Sequence, residues 1–104
     1  MSAYVIVEIE VDDPAGYEEY RPLAAASVAR HGGRYVARGG QTEIFEGEWS
    51  GRIVVLEFGS LEAARAWYHS DDYQEALPIR LRTSRGRMIA VEGTEVPARS
   101  MESR

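Results

Sequence analysis

Glu57 stands inside the apolar run Ile53-Val54-Val55-Leu56-Glu57-Phe58, where a carboxylate needs either a cation or a task. Two arginines that could supply the cation, Arg34 and Arg38, lie in the extended stretch Arg34-Tyr35-Val36-Ala37-Arg38-Gly39. A guanidinium offers a carboxylate two parallel N–H donors, so these residue types support two arrangements. One is an ion pair that fixes the register of a dimer. The other is a clamp in which Arg38 holds an anionic substrate and Glu57 serves as general base.

A second cluster, Trp67, Tyr68, His69 and Tyr73, falls on and just after a helical stretch. Adjacent Trp67 and Tyr68 cannot point the same way on a helix, so one of them belongs to the core. His69 lies at a helix end beside Asp71 and Asp72, whose charge favours a protonated imidazole. It reads either as an exposed helix-terminal residue or as a base. With Tyr4 from the first strand, these rings could line a pocket for a flat apolar substrate. His69 is also the one histidine on a helix beside aromatics, as an axial haem ligand would be. Nothing else calls for a haem, and the expectation is no cofactor. His31 sits at a helix C-terminus, where the dipole favours a cation, and reads as structural.

Several chemistries drop out on composition. The 104 residues contain no Cys, which removes disulfides, thiolate nucleophiles and thiolate metal sites. All 12 basic residues are Arg, so Schiff-base and lysine-base mechanisms are excluded. The two histidines are far apart and form no His-x-His or His-Glu-x-x-His spacing, so no metal site is expected. Gly32-Gly33 and Gly39-Gly40 are not a phosphate-cradling Gly-x-Gly-x-x-Gly, and neither pair opens a helix. The net charge of −5 comes without a basic stripe, which argues against nucleic acid. The N-terminal stretch reads as a strand and no apolar run approaches the ~20 residues of a membrane span, so a soluble cytoplasmic protein is expected.

These residues must be positioned by a strand-helix-strand unit used twice. Tyr4 to Val11 alternates, with Val5, Val7, Ile9 and Val11 on an apolar face and Tyr4, Ile6, Glu8 and Glu10 on a mixed one. Asp13 caps a helix with Pro14 at its first position, and the buried stripe should be Tyr17, Tyr20, Ala24 and Val28. Gly32-Gly33 stops it, and the strand from Arg34 follows. Thr42 to Glu46 reads as a short extended piece. The second unit has a strand over Arg52 to Phe58 and a Ser60-capped helix with Leu61, Ala64, Trp67 and Tyr68 inward. Ser70 restarts a short helix carrying Tyr73, Ala76 and Leu77, which Pro78 should disturb or end. The closing strand spans Gly86 to Gly93. The pattern predicts an α+β, ferredoxin-like split βαβ sandwich with a four-stranded antiparallel sheet over residues 1–93, and a flexible tail over 94–104.

The stretches Asp13-Pro14…Tyr17…Tyr20, Gly32-Gly33-Arg34-Tyr35…Arg38-Gly39-Gly40, Glu46-Gly47…Trp49, Val54 to Phe58, Trp67-Tyr68-His69-Ser70…Tyr73-Gln74 and Val91-Glu92-Gly93 resemble the domain-of-unknown-function 1330 family. His69 stands where members often carry Asn, and Pro78 interrupts a segment that is usually plain helix. The resemblance implies a dimeric α+β barrel, in which two sheets pack face to face, and no established activity.

Such a homodimer would bury Tyr4, Ile6, Ile53 and Val55, an apolar sheet surface that otherwise meets water. Two functions remain open. One is a non-catalytic module that binds a small ligand or serves as a scaffold. The other is a small cofactor-independent enzyme, monooxygenase- or isomerase-like, acting on a flat apolar or anionic substrate near Arg38, Glu57 and Trp67. Arg34, Tyr68 and Tyr73 complete the candidate ligand contacts. Fold alone does not choose between them.

Overall fold

The computed structural model describes residues 1–94, so the expected tail lies, beyond Thr94, outside the described residues. The elements run β1 (Ala3–Val11), α1 (Pro14–Arg30), β2 (Arg34–Arg38), β3 (Arg52–Phe58), α2 (Leu61–Tyr68), α3 (Asp71–Thr83) and β4 (Ser84–Glu92). The strands form one antiparallel sheet in the order β2-β3-β1-β4, with the helices on one face. This is the ferredoxin-like α+β sandwich that the repeated unit predicts.

Alternation along β1 decides which face the helices take. Val5, Val7 and Ile9 are buried, and β3 contributes Leu56 and Phe58 to the same side. From above, α1 buries Tyr17, Tyr20, Ala24 and Val28, the expected stripe, together with Ser27. The caps are as the sequence implies. The Gly16 N–H donates to Asp13 Oδ1 at 3.1 Å, and the Ala63 N–H donates to Ser60 Oγ at 3.0 Å. Gly32 takes the left-handed turn after α1 with φ of 76°. Gly33 then passes Phe58 so closely that a Cβ would lie 2.5 Å from the ring.

Trp67 anchors the core. Its ring lies 4.4 Å from Tyr73 and 5.3 Å from Phe58, centroid to centroid, and its indole N–H donates to Ser27 Oγ at 2.9 Å. The Ser27 hydroxyl donates onward to the Ala24 carbonyl at 2.7 Å, so this buried polar chain is satisfied. Tyr68 points elsewhere and is half-buried, as its adjacency to Trp67 requires. Of the expected inward residues of α2, Ala64 and Trp67 are buried while Leu61 is only partly covered.

Three local expectations are corrected. Pro78 does not end its helix: α3 continues to Thr83 over 13 residues. A proline inside a helix costs about 3 kcal/mol, and burial of Tyr73, Ala76, Arg80 and Thr83 on both sides of it outweighs that. Thr42 to Glu46 forms no strand; it lies in an exposed connection between β2 and β3 and pairs with no strand of the sheet. The closing strand starts at Ser84, two residues before Gly86, because Val11 and Glu10 of β1 pair with Ser84 and Arg85.

Candidate functional site

The sheet register separates the residues that the sequence suggested might meet. Glu57 pairs across strands with Tyr4 and Arg34, which puts all three on the face away from the helices. There the Arg34 guanidinium lies 2.6 Å from Glu57 Oε1, and the Tyr4 hydroxyl donates to Oε2 at 3.4 Å. Hydrogen bonds from Ser2, Arg34 and Tyr4 hold the Glu57 carboxyl below the usual glutamate range. A carboxylate so held is a poor proton acceptor. The same face carries a second pair, Arg87 Nε to Glu8 Oε1 at 2.6 Å.

Arg38 is on the opposite side. The register of β2 against β3 shifts between Tyr35 and Ala37, so Arg38 opposes Val54 and turns toward the helices. It is exposed and stacks over the Tyr35 ring at 4.2 Å. The expected pair of Arg38 with Glu57, sheltered within the sheet, is therefore not formed. The bulge falls at Val36, ahead of Arg38, where it reverses the side chain.

Arg38 and Trp67 do converge, in a cavity of about 70 Å³ between α1 and the sheet. Val7, Ile9, Val54, Leu56 and Met88 supply its apolar wall. Its polar groups are the phenols of Tyr17, Tyr20 and Tyr35 and the guanidinium groups of Arg21, Arg38, Arg52 and Arg80, and no carboxylate lines it. Arg80, brought in by the helical turns that follow Pro78, is 6% exposed. Among the described residues it has no ion-pair partner, and neither its Nε nor that of Arg52 finds a hydrogen-bond acceptor. Arg52 lies over the Tyr17 ring at 5.9 Å.

Tyr73 stands behind the cavity wall. Its hydroxyl and that of Tyr20 share a hydrogen bond of 2.8 Å. Burial pushes both phenols above their ordinary range, with the positive charge of Arg80 pulling the other way. Both are protonated at neutral pH, so they act as donors. In such a pair one hydroxyl donates to the other, and the acceptor keeps a free proton.

His69 is exposed at the C-cap of α2, its ring edge-on to Tyr68 at 5.2 Å. Neither Asp71 nor Asp72 lies within ion-pair distance of it; Asp72 is engaged with Arg30 and stands 4.0 Å from His31. Trp67, Tyr68 and His69 border a wider groove of about 470 Å³ between α2 and β4, which Arg80 also touches. The candidates thus fall into three groups: Tyr4, Arg34 and Glu57 on the open sheet face, Tyr68 and His69 at the groove, and Arg38 and Trp67 in the inner cavity with Tyr73 packed behind its wall. Sequence reading missed Arg80, Arg52 and Tyr20 as site residues. The available signal was an arginine at the buried spacing of α3 after Tyr73 and Ala76.

The family model of a domain of unknown function, DUF1330, matches residues 2–94. The chain belongs to this family. No curated protein matches it. Among solved structures, a protein of unknown function from Rhodopseudomonas palustris is similar with a TM-score of 0.72 and 15% identity, covering 91% of this chain and 84% of that one. SnoaB, a cofactor-independent oxygenase from Streptomyces nogalater, is similar with a TM-score of 0.63 and 15% identity, covering 93% and 97%. A dimeric protein of unknown function and ferredoxin-like fold from Bacteroides fragilis has a TM-score of 0.52 and 13% identity, covering 88% and 96%. At these identities the likeness is one of fold.

Proposed function

We propose that this DUF1330 protein is a binding module for a small organic acid, seated in the cavity between α1 and the sheet with Arg80 as the anion's partner. The observation that carries the reading is the burial of Arg80 without a counter-charge. An isolated charge in a protein interior is costly, and interiors hold such charges when they are paired. A carboxylate would supply the missing partner. A guanidinium offers a carboxylate two parallel N–H donors, and Arg80 Nε has no acceptor of its own within the fold. The free proton of the Tyr20–Tyr73 pair adds a donor, and the aliphatic wall takes the apolar body. At about 70 Å³ the space is roughly half the ~150 Å³ cavity that accepts benzene, which limits the ligand to acids of no more than about two or three carbons.

The catalytic alternative has less support. The fold is shared with a cofactor-independent oxygenase, but the inner cavity is lined by donors and cations, with no carboxylate or imidazole to act as base. Thermal-shift and calorimetric titration with sodium propionate tests the reading, with sodium chloride at equal ionic strength as control. Propionate is expected to raise the melting temperature of the wild type by mass action and to leave Arg80→Met unmoved. A wild type indifferent to propionate would overturn the proposal.

We also infer that the open sheet face is where a second copy packs. It exposes Ile6, Ile89 and Val91, with Trp49 from the β2–β3 connection beside Ile53. Its acidic groups Glu8 and Glu57 already hold Arg87 and Arg34, so the face can leave water without isolating a carboxylate. The dimeric state of the Bacteroides fragilis protein is consistent with this.

A further inference from the structure

On the helix side of the sheet, β4 offers little side chain. Gly86, Met88 and Ala90 pair with Ile9, Val7 and Val5, which are buried under the helices, so all six positions share that face. Glycine is imposed at position 86, where a Cβ would stand 2.3 Å from the Glu8 carbonyl oxygen. Ala90 is exposed although it belongs to the helix side. The strand therefore leaves open the groove of about 470 Å³ between itself and α2. The opposite wall is one face of α2, with Leu61, Ala64, Arg65 and Tyr68 at spacings of three and four. His69 follows one turn after Arg65, and its backbone N–H donates to the Arg65 carbonyl at 3.1 Å.

The groove is also one-sided in charge. Arg65, His69, Arg80 and Arg87 line it and no carboxylate does. Arg87 is committed to Glu8 and Arg80 is buried, whereas Arg65 is exposed and has no ion-pair partner among the described residues. Groove and inner cavity share only Trp67, Arg80 and Met88, which stand as the partition between them.

We propose that this groove is a second site, for a flat aromatic carboxylate, with the carboxylate on Arg65 and the rings lying along Tyr68 and Ala90. Its volume is about three times the ~150 Å³ that holds benzene and within the range of about 300–1,000 Å³ usual for ligand sites, which suits two fused rings. A slot between a helix face and a strand bare of large side chains admits a planar body. The Tyr68 and His69 rings, 5.2 Å apart and edge-on, supply aromatic contact at one end. The Arg65 guanidinium can meet a carboxylate with two parallel donors. With a net charge of −5 the chain's long-range field opposes anions, so a preference for the carboxylate arises from Arg65 locally. The site is independent of acid binding in the inner cavity, and a second copy on the open sheet face leaves the helix side uncovered.

Calorimetric titration with sodium 2-naphthoate, and with the neutral 2-naphthylmethanol, tests both parts of the site. The wild type is expected to bind both and to prefer the acid by about fivefold, as suits a pairing with an exposed arginine. Arg65→Gln should abolish that preference and leave the affinity for the alcohol unchanged. Ala90→Leu fills the groove from the strand side and should weaken both probes by about tenfold or more. Arg65→Gln alters an exposed side chain, so it remains decisive even if Ala90→Leu does not fold. A wild type that ignores 2-naphthoate, or a folded Ala90→Leu variant that binds it as the wild type does, would overturn the site. An Arg65→Gln variant that weakens both probes alike, or neither, would overturn the role of the carboxylate. Should Ala90→Leu break the dimer in light scattering, the groove belongs to a second copy and the ligand proposal falls.

Discussion

The Tyr20 and Tyr73 hydroxyls meet at 2.8 Å across the seam between α1 and α3, with the charge of Arg80 close enough to act on both. Both rings are buried, so each hydroxyl relies on the other for a hydrogen bond in the unliganded protein. Tyr20→Phe and Tyr73→Phe should therefore each cost about 1–3 kcal/mol, most of it for the hydroxyl left behind. The double variant should cost clearly less than the sum of the two. Urea denaturation of the four proteins measures this coupling, and strict additivity would refute it.

Glu57 predicts a pH dependence with a definite sign. Its folded pKa lies below the ordinary value of 4.5 because Ser2, Arg34 and Tyr4 hydrogen-bond the charged form. The stabilisation is thus complete above the unfolded value and is lost as pH falls through the folded one. The difference in melting temperature between wild type and Glu57→Gln should be constant near neutrality and shrink as the solution is taken below about pH 4. Arg34→Met should flatten the profile in part, since Ser2 and Tyr4 still hold the carboxylate. Arg38→Met should not, because it lies on the other face; a flattened profile from that variant would contradict the register of β2.

The split between Arg34 and Arg38 also marks where sequence reading stops. Alternation gave both arginines the same face, because residues four apart in an unbroken strand share one. One bulged residue at Val36 reversed Arg38, and nothing in Arg34-Tyr35-Val36-Ala37-Arg38 announces a bulge. Caps and stripes were legible because they are local: Asp13, Ser60 and Ser70 each bond a backbone N–H three residues on. Arg80 was hidden for a related reason. Pro78 read as disturbing or ending the helix, and only a helix continued through it carries Arg80 to the cavity.

The open sheet face makes the oligomeric state testable. Light scattering at micromolar concentration should give a dimer for the wild type. Ile89→Glu places a carboxylate on the most exposed apolar position of that face, 65% exposed in the isolated chain. It should raise the dimer dissociation constant by about tenfold or more, since a charge there would be desolvated without a partner. A wild type that is monomeric throughout, or an Ile89→Glu variant that dimerises unchanged, would count against this face.

Arg80 allows its two roles to be told apart without knowing the ligand. If its guanidinium were a structural element, removing it would leave a void or an unsatisfied partner and lower stability. Its surroundings offer no carboxylate to be orphaned, and its Nε already lacks an acceptor. Methionine keeps an unbranched stem that can fill the same apolar space without the charge. Arg80→Met in the unliganded protein should therefore be neutral or more stable, by about 1 kcal/mol or more, because a desolvated, unpaired charge has been removed. The favourable position of a cation in the last turn of α3 offsets part of that gain, by about 0.3–1 kcal/mol. The same variant should lose its response to propionate. Gaining stability while losing binding is the pattern of a residue kept for its ligand. Chemical denaturation in acid-free buffer measures the first half and calorimetry the second. A variant destabilised by several kcal/mol would instead make Arg80 a structural residue whose partner is already within the fold.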